Sequence, residues 1–366
     1  MAAALSPVVM RAAIWDVPDL QRKAHARPVP TCGGIAIVVA TLAAVALLLS
    51  PWGLGFGASL SGEEAAMLAG GLAAAVAAFA IGLVDDLRPL GPKTKFGLIA
   101  LIGVLVAVLV ARAGRLELGA GIGLELPFVV AVLGSALWLF TLVNATNFID
   151  GANGMAMGTM GIGLIGLGVI SALHGAPVAA LLSFLAAAAA AGFLFWNFPR
   201  GALFAGDCGS LFIGTIAAVA GLIAVQEAGL SAFIPPLLFF PVLADVLLTL
   251  LWRTKHRTDL FNGHRDHLYQ IGLRAKLPHW QVSLVYWAVS AHCAAVALLA
   301  SFGGQVAAPA AIADAAGAGQ LAWVYASLGA VASFMPVIAL AVVAVVSVKV
   351  SGAVRRFAAA RGLDTP

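Results

Sequence analysis

Residues 128–154 read FVVAVLGSALWLFTLVNATNFIDGANG. Up to Val143 the stretch has no charge and suits hydrocarbon. Beyond it stand Asn144, Asn147, Asp150 and Asn153 at a spacing of three, with Gly151 and Gly154 among them. An apolar run of this length predicts a membrane-crossing helix, because a helix satisfies its own backbone groups where no water can. Three amides and a carboxylate at the mouth of such a helix are expensive there and point to use. The two glycines permit a break and a close backbone approach.

The pattern holds along the whole chain. Of 366 residues, 62% are hydrophobic and 10% charged, with a mean hydropathy of +1.04. A soluble domain of this composition would leave too much apolar surface in water. The apolar runs are continuous rather than alternating, which excludes a β-barrel. The expected fold is all-α, a polytopic transmembrane helical bundle forming a single integral membrane domain over residues 1–366. About ten spans are expected, near 32–49, 64–84, 95–112, 126–144, 157–174, 177–196, 209–226, 231–252, 281–302 and 321–348. The start, MAAALSPVVMRAA, is apolar but too short to span and does not read as a cleavable signal. Cys32, Cys208 and Cys293 show no paired spacing, so they suggest neither a disulfide framework nor a zinc site.

With the sides alternated, one set of loops carries 18 of the 20 lysines and arginines, and the opposite loops carry only Arg112 and Arg115. The positive-inside rule makes the first set cytoplasmic. The net charge of +4 therefore reports topology rather than a nucleic-acid partner. Nearly all the unusual polar residues share that cytoplasmic side, so a cytoplasmic active-site cleft is expected.

Each polar motif has a chemical and a structural reading. Asp85-Asp86 can hold a hydrated Mg²⁺ or activate a phosphate, or can pair with Arg88 and Lys93. Asn and Asp oxygens suit Mg²⁺, and Asn147 and Asp150 are expected on one helix face. Asp207, in FAGDCGS, is a metal or phosphate ligand, or else it or Ser210 caps the seventh span. Asp245, inside an apolar run, is a functional carboxylate or a structural partner of Arg253. HRTDLFNGHRDHLYQ (256–270) is the most basic loop. Its Arg and His residues suit a diphosphate, or simply anchor the loop. Carboxylates, amides and a basic loop on one membrane face are what phosphoryl transfer to a lipid acceptor needs.

In this order and on this side, DVPDLQRKAHARPVPTCGG, GLVDDL, NATNFIDGANG, FAGDCGS and GHRDHLYQ resemble the polyprenyl-phosphate N-acetylhexosamine-1-phosphate transferases, glycosyltransferase family 4. The likeness runs over roughly residues 15 to 350. It implies a Mg²⁺-dependent enzyme, with Mn²⁺ able to substitute, in the bacterial inner membrane with its active site cytoplasmic. Undecaprenyl phosphate would attack the β-phosphorus of a UDP-HexNAc, releasing UMP and forming lipid-diphospho-HexNAc. Asp85 and Asp86 would bind or deprotonate the lipid phosphate. Asn147 and Asp207 would hold Mg²⁺ and the diphosphate. Asp150 and Asn144 would position the nucleotide, with Lys95 and Gly206 in the same binding set. His264, Arg265 and His267 would contact phosphate or sugar. Partners are the bilayer, the two substrates and a second copy in a homodimer.

Three departures follow from the same comparison. The loop reads GHRDHLYQ where the peptidoglycan enzyme has a triple histidine. That resembles the O-antigen-initiating branch rather than the MurNAc-pentapeptide transferases, which stay as the alternative beside a non-enzymatic carrier. Asn153 stands where many relatives place an Asp, which would leave one fewer charge beside the metal. Only about a dozen residues precede DVPD, so a first helix is expected to be missing or truncated.

Overall fold

A computed structural model describes residues 1–11, 15–16, 28–53, 59–119, 122–259, 265–302 and 332–363. The helices follow the apolar runs. They are α1 (Ala2–Arg11), α2 (Gly34–Leu49), α3 (Gly62–Leu87), α4 (Pro92–Leu109), α5 (Phe128–Phe148), α6 (Met155–Leu173), α7 (Pro177–Asn197), α8 (Gly206–Ala228), α9 (Ile234–Leu238), α10 (Phe240–Lys255), α11 (Leu268–Arg274), α12 (His279–Ser301) and α13 (Met335–Ala360). Two small antiparallel hairpins accompany them: β1 (Trp15–Asp16) with β2 (Val29–Pro30), and β3 (Arg115–Gly119) with β4 (Ile122–Glu125). Among the described residues eight helices are long and apolar enough to cross a membrane. This is a polytopic helical bundle, as expected.

Three expected spans differ in detail. Helix α2 has 16 residues, about 24 Å of rise, short of a hydrocarbon core of about 30 Å. The eighth span is broken at Phe239 into α9 and α10, where Pro235, Pro236 and Pro241 remove backbone donors. The last helix lies at 335–360 rather than 321–348, and residues 321–331 are outside the described set. At the N-terminus the short helix α1 packs on α2 and α7, with Trp196 Nε1 donating to the Ala3 carbonyl at 2.7 Å.

Helix α8 is the axis. It packs against α2, α3, α5, α6 and α7, and 94% of its most apolar window is buried, against 11% for α13. Lipid offers no hydrophobic incentive for helices to associate, so close packing of small residues must hold them. Here the approach is by glycine. A Cβ on Gly34 would meet Gly209 N at 2.2 Å, and one on Gly82 would meet the Asp207 backbone at 2.5 Å. These contacts draw the ends of α2 and α3 onto the first turn of α8.

Candidate active site

Four elements converge at that first turn. Helix α3 ends in Asp85 and Asp86, α4 begins beside Lys95, α5 ends after Asn147, and α8 begins with Gly206 and Asp207. Lys95 Nζ lies between three oxygens from three helices. It donates to Asp85 Oδ2 at 3.1 Å, to Asn147 Oδ1 at 3.1 Å, and to Asp207 Oδ2. Asn147 Nδ2 donates to Asp207 Oδ1 at 2.8 Å and to Ser210 Oγ at 2.9 Å. The amide orientation is thus fixed: its oxygen faces the ammonium and its nitrogen faces carboxylate and hydroxyl. The lysine that answers Asp85 is Lys95, not Arg88 or Lys93. Lys95 is 9% exposed, and an ammonium so buried persists only with carboxylate partners.

The adjacent carboxylates serve different partners, as their positions on a helix predict. Asp85 Oδ1 accepts from Leu90 N at 2.5 Å, closing the turn that follows α3. Asp86 reaches across to α8, where Asp207 N donates to Oδ1 at 2.9 Å and Cys208 N to Oδ2 at 3.0 Å. The cap of α8 therefore comes from another helix. Neither Asp207 nor Ser210 supplies it, and Ser210 Oγ turns back to the Gly206 and Asp207 carbonyls. The approach needs glycine at 206: its φ is +73°, and a Cβ would lie 2.5 Å from Asp86 Oδ2.

Asp150 follows α5 rather than sharing a helix face with Asn147, because the helix stops at Phe148. Asp150 N donates to Asn147 O in the turn. Its carboxyl makes no hydrogen bond among the described residues, and burial, then the charges of Asp207 and Asp86, push it up to about 7. Tyr269 seals this turn by donating to Phe148 O at 3.1 Å, so close that a Cβ on Gly151 would sit 2.2 Å from its oxygen. Burial holds the Tyr269 phenol above its usual range.

Other predicted residues lie elsewhere. Asn144 folds back on its own helix, donating to Phe140 O at 2.7 Å, and its Oδ1 is buried without a hydrogen bond. The Asn153 amide is bound to the turn before α8. Its side chain donates to Pro199 O at 3.1 Å, its N–H to His279 Nδ1, and its carbonyl accepts from Ser283 Oγ. It ties the loop to α12 and to the turn before α8.

In the basic segment His267 is buried and lies 3.6 Å from Asp245 through Nδ1. Asp245 also accepts from Leu268 N at 2.7 Å and from the Tyr286 hydroxyl at 2.7 Å. Its partner is thus His267 and not Arg253. Arg253 pairs with Asp266 and donates to the Asp259 carbonyl. Arg265 is partly exposed beside this pair, and His264 lies outside the described residues, as do 17–27 of the first motif.

Comparison with known proteins gives the family. The family model described as glycosyl transferase family 4 matches residues 68–225, which contain every residue of the Lys95 cluster. A decaprenyl-phosphate N-acetylglucosaminephosphotransferase of Mycobacterium tuberculosis is 30% identical over 300 residues, 73% of this chain and 71% of its own. The chain belongs to this family, the polyprenyl-phosphate N-acetylhexosamine-1-phosphate transferases. A probable undecaprenyl-phosphate N-acetylglucosaminyl 1-phosphate transferase of Bacillus subtilis is 28% identical over 304 residues, 78% of each chain. A phospho-N-acetylmuramoyl-pentapeptide-transferase of Synechococcus is 36% identical, but over 203 residues and 53% of this chain. The transferase is accordingly a multi-pass membrane enzyme of phospho-sugar transfer. Sequence reasoning about it missed Ser210 as a partner of Asn147, and Tyr269 and Tyr286 as the groups that seat the basic segment. A tyrosine in an apolar helix asks for a partner for its hydroxyl, and that signal was available.

Proposed function

We propose that the protein transfers N-acetylglucosamine 1-phosphate from UDP-GlcNAc to undecaprenyl phosphate, on the cytoplasmic face of a bacterial inner membrane. This would be the first membrane step of an O-antigen or related envelope polysaccharide. In the overall reaction a lipid phosphate oxygen bonds to the β-phosphorus, and the oxygen bridging the two phosphates leaves on UMP. The observation that carries the reading is the set of Asp85, Asn147 and Asp207 oxygens gathered around one cation, Lys95 Nζ. Hard oxygens already directed at a positive charge fit Mg²⁺. The two relatives named above for N-acetylglucosamine transfer support the donor.

Asp207 and Asn147 would hold the metal, with Asp85 beside them. When bound, Mg²⁺ neutralises charge on the diphosphate. Lys95 donates to the same oxygens and would carry its positive charge beside a substrate phosphate bound there. Asp86 keeps the first turn of α8 in place, and with it the orientation of Asp207. Asp150, high in its titration and with a carboxyl that makes no hydrogen bond among the described residues, would take the nucleotide side of the cleft. Arg265 presents positive charge to the phosphates from the segment that Tyr269 seats, and His267 holds that segment against Asp245.

Purified protein given undecaprenyl phosphate, Mg²⁺ and a panel of UDP-HexNAc donors is expected to yield UMP and lipid-diphospho-GlcNAc, detected by mass. EDTA should stop it and Mn²⁺ restore it. Turnover with UDP-MurNAc-pentapeptide alone would move the protein to the peptidoglycan branch. No turnover with any donor, from protein shown to be folded, would remove the reading.

A further inference from the structure

Asp86 has a second set of neighbours. Cys32 Sγ donates to Asp86 Oδ2 at 3.7 Å, and Cys208 Sγ donates to Ala205 O at 3.4 Å. The two sulfurs and a carboxylate oxygen lie within 4.8 Å of one another. They come from three segments: the turn before α2, the end of α3 and the first turn of α8. The backbone fixes all three. Gly33 N and Gly34 N donate to the Phe204 and Ala205 carbonyls at 2.9 Å, and Phe204 N donates to Pro30 O at 2.9 Å. Cys208 N holds the carboxylate itself. Cys32 adopts φ +65°, a backbone state that a residue other than glycine keeps only when its surroundings impose it. Both thiols are fully buried, whereas Asp86 keeps a partly open side through which an ion can enter.

The spacing suits a tetrahedral ion. Metal–sulfur and metal–oxygen bonds of about 2.3 and 2.1 Å give a sulfur–oxygen edge of about 3.6 Å, close to that observed. A carboxylate has about four lone-pair positions, and the two backbone N–H groups on Asp86 leave room for a metal. Two soft sulfurs select against Mg²⁺, which prefers the all-oxygen set around Lys95. We propose that Cys32, Asp86 and Cys208 form a second cation site, selective for a thiophilic divalent ion such as Zn²⁺ or Cd²⁺, and that filling it inhibits the enzyme. Two metal–sulfur bonds form, two S–H bonds break, and the two protons pass to water. The carboxylate that orients the first turn of α8 is drawn toward the ion, and Asp207 loses its alignment.

The test uses the whole protein in detergent with Cd²⁺ as probe. Wild type is expected to bind a single tight Cd²⁺ with an ultraviolet sulfur-to-cadmium band, release two protons per ion, and lose turnover. Cys32→Ser is expected to keep its basal turnover, lose the band and need at least about tenfold more Cd²⁺ for inhibition. Cys208→Ser is expected to lose the band as well. Inhibition of Cys32→Ser at the wild-type Cd²⁺ concentration, or a wild type without the band, overturns the proposal. Should either variant fail to fold, X-ray absorption at the zinc edge of the wild-type complex decides it. Two sulfur neighbours are expected, and a shell of nitrogen and oxygen alone would refute it. Cys293, on α12, supplies at most one.

Discussion

The Lys95 cluster and the basic segment 253–274 both hold charges of each sign at one end of the bundle, yet they use them differently. In the cluster the charged groups face one another around a common centre, and the backbone bonds they take belong to the turn after α3 and the start of α8. In the basic segment nearly every named charge is spent on holding chain in place. Asp245 takes Leu268 N and the Tyr286 hydroxyl, Arg253 spans Asp259 and Asp266, and Arg355 donates to Asp266 O at 2.9 Å and Thr249 Oγ1 at 3.2 Å. The lesson is that a charge at a membrane face is judged by what its partners are free to do.

Substitutions should separate the two regions. The largest effect on chemistry is expected from Asp207→Asn. Turnover should fall by about 10³-fold, with Tm nearly unchanged because Lys95 and Asn147 keep a partner; parallel losses of activity and Tm would make Asp207 structural. Arg253→Ala should do the reverse. It breaks a pair whose side chains are 8% and 7% exposed, at a cost of about 3 kcal/mol. Chemical denaturation would show this, and an unchanged midpoint would break the contrast.

Asp150→Asn should act through pH. The folded carboxyl sits at about 7 and the ordinary value is 3.8, so the unfolded chain ionises first. Stability is then lost as pH rises from about 4 to about 7, by on the order of 2 kcal/mol given the partial exposure. The Asn variant should lack that slope and be the more stable at pH 7.5, while its KM for the nucleotide sugar rises. A wild-type profile without the slope would show that Asp150 is ionised throughout. The smallest effect is expected from Asn153→Ala, which loses one hydrogen bond to Pro199 worth about 1 kcal/mol. Donor preference should not change, since this side chain faces the loop before α8; a switch in donor choice would return Asn153 to the site.

The helices were legible because continuous apolar runs leave few alternatives, and the grouping of the polar motifs on one side because lysine and arginine are so unevenly placed. Asp85, Asn147 and Asp207 stood out as polar residues in an apolar chain. The pairings did not. Asp86 caps a helix far along the sequence, and the spacing of Cys32 and Cys208 says nothing of the glycine contacts that bring them together. Asn144 and Asn153 looked equal to Asn147 in sequence. The end of α5 at Phe148 and the turn past Gly151 send the three amides in different directions. The break at Phe239 was also written plainly, in Pro235, Pro236 and Pro241, but the apolar character of the run concealed it.

Among the described residues helix α13 touches the bundle along little of its length, yet Arg355 near its end grips Asp266 and Thr249 and lies over the Trp252 ring at 4.5 Å. A stave seated mostly in lipid can steady a loop no better than the lipid steadies the stave. A change in bilayer thickness that tilted α13 would therefore be felt through Arg355 at the segment that carries Arg265 and His267. For half of its polar machinery the membrane is a mechanical component as well as a solvent.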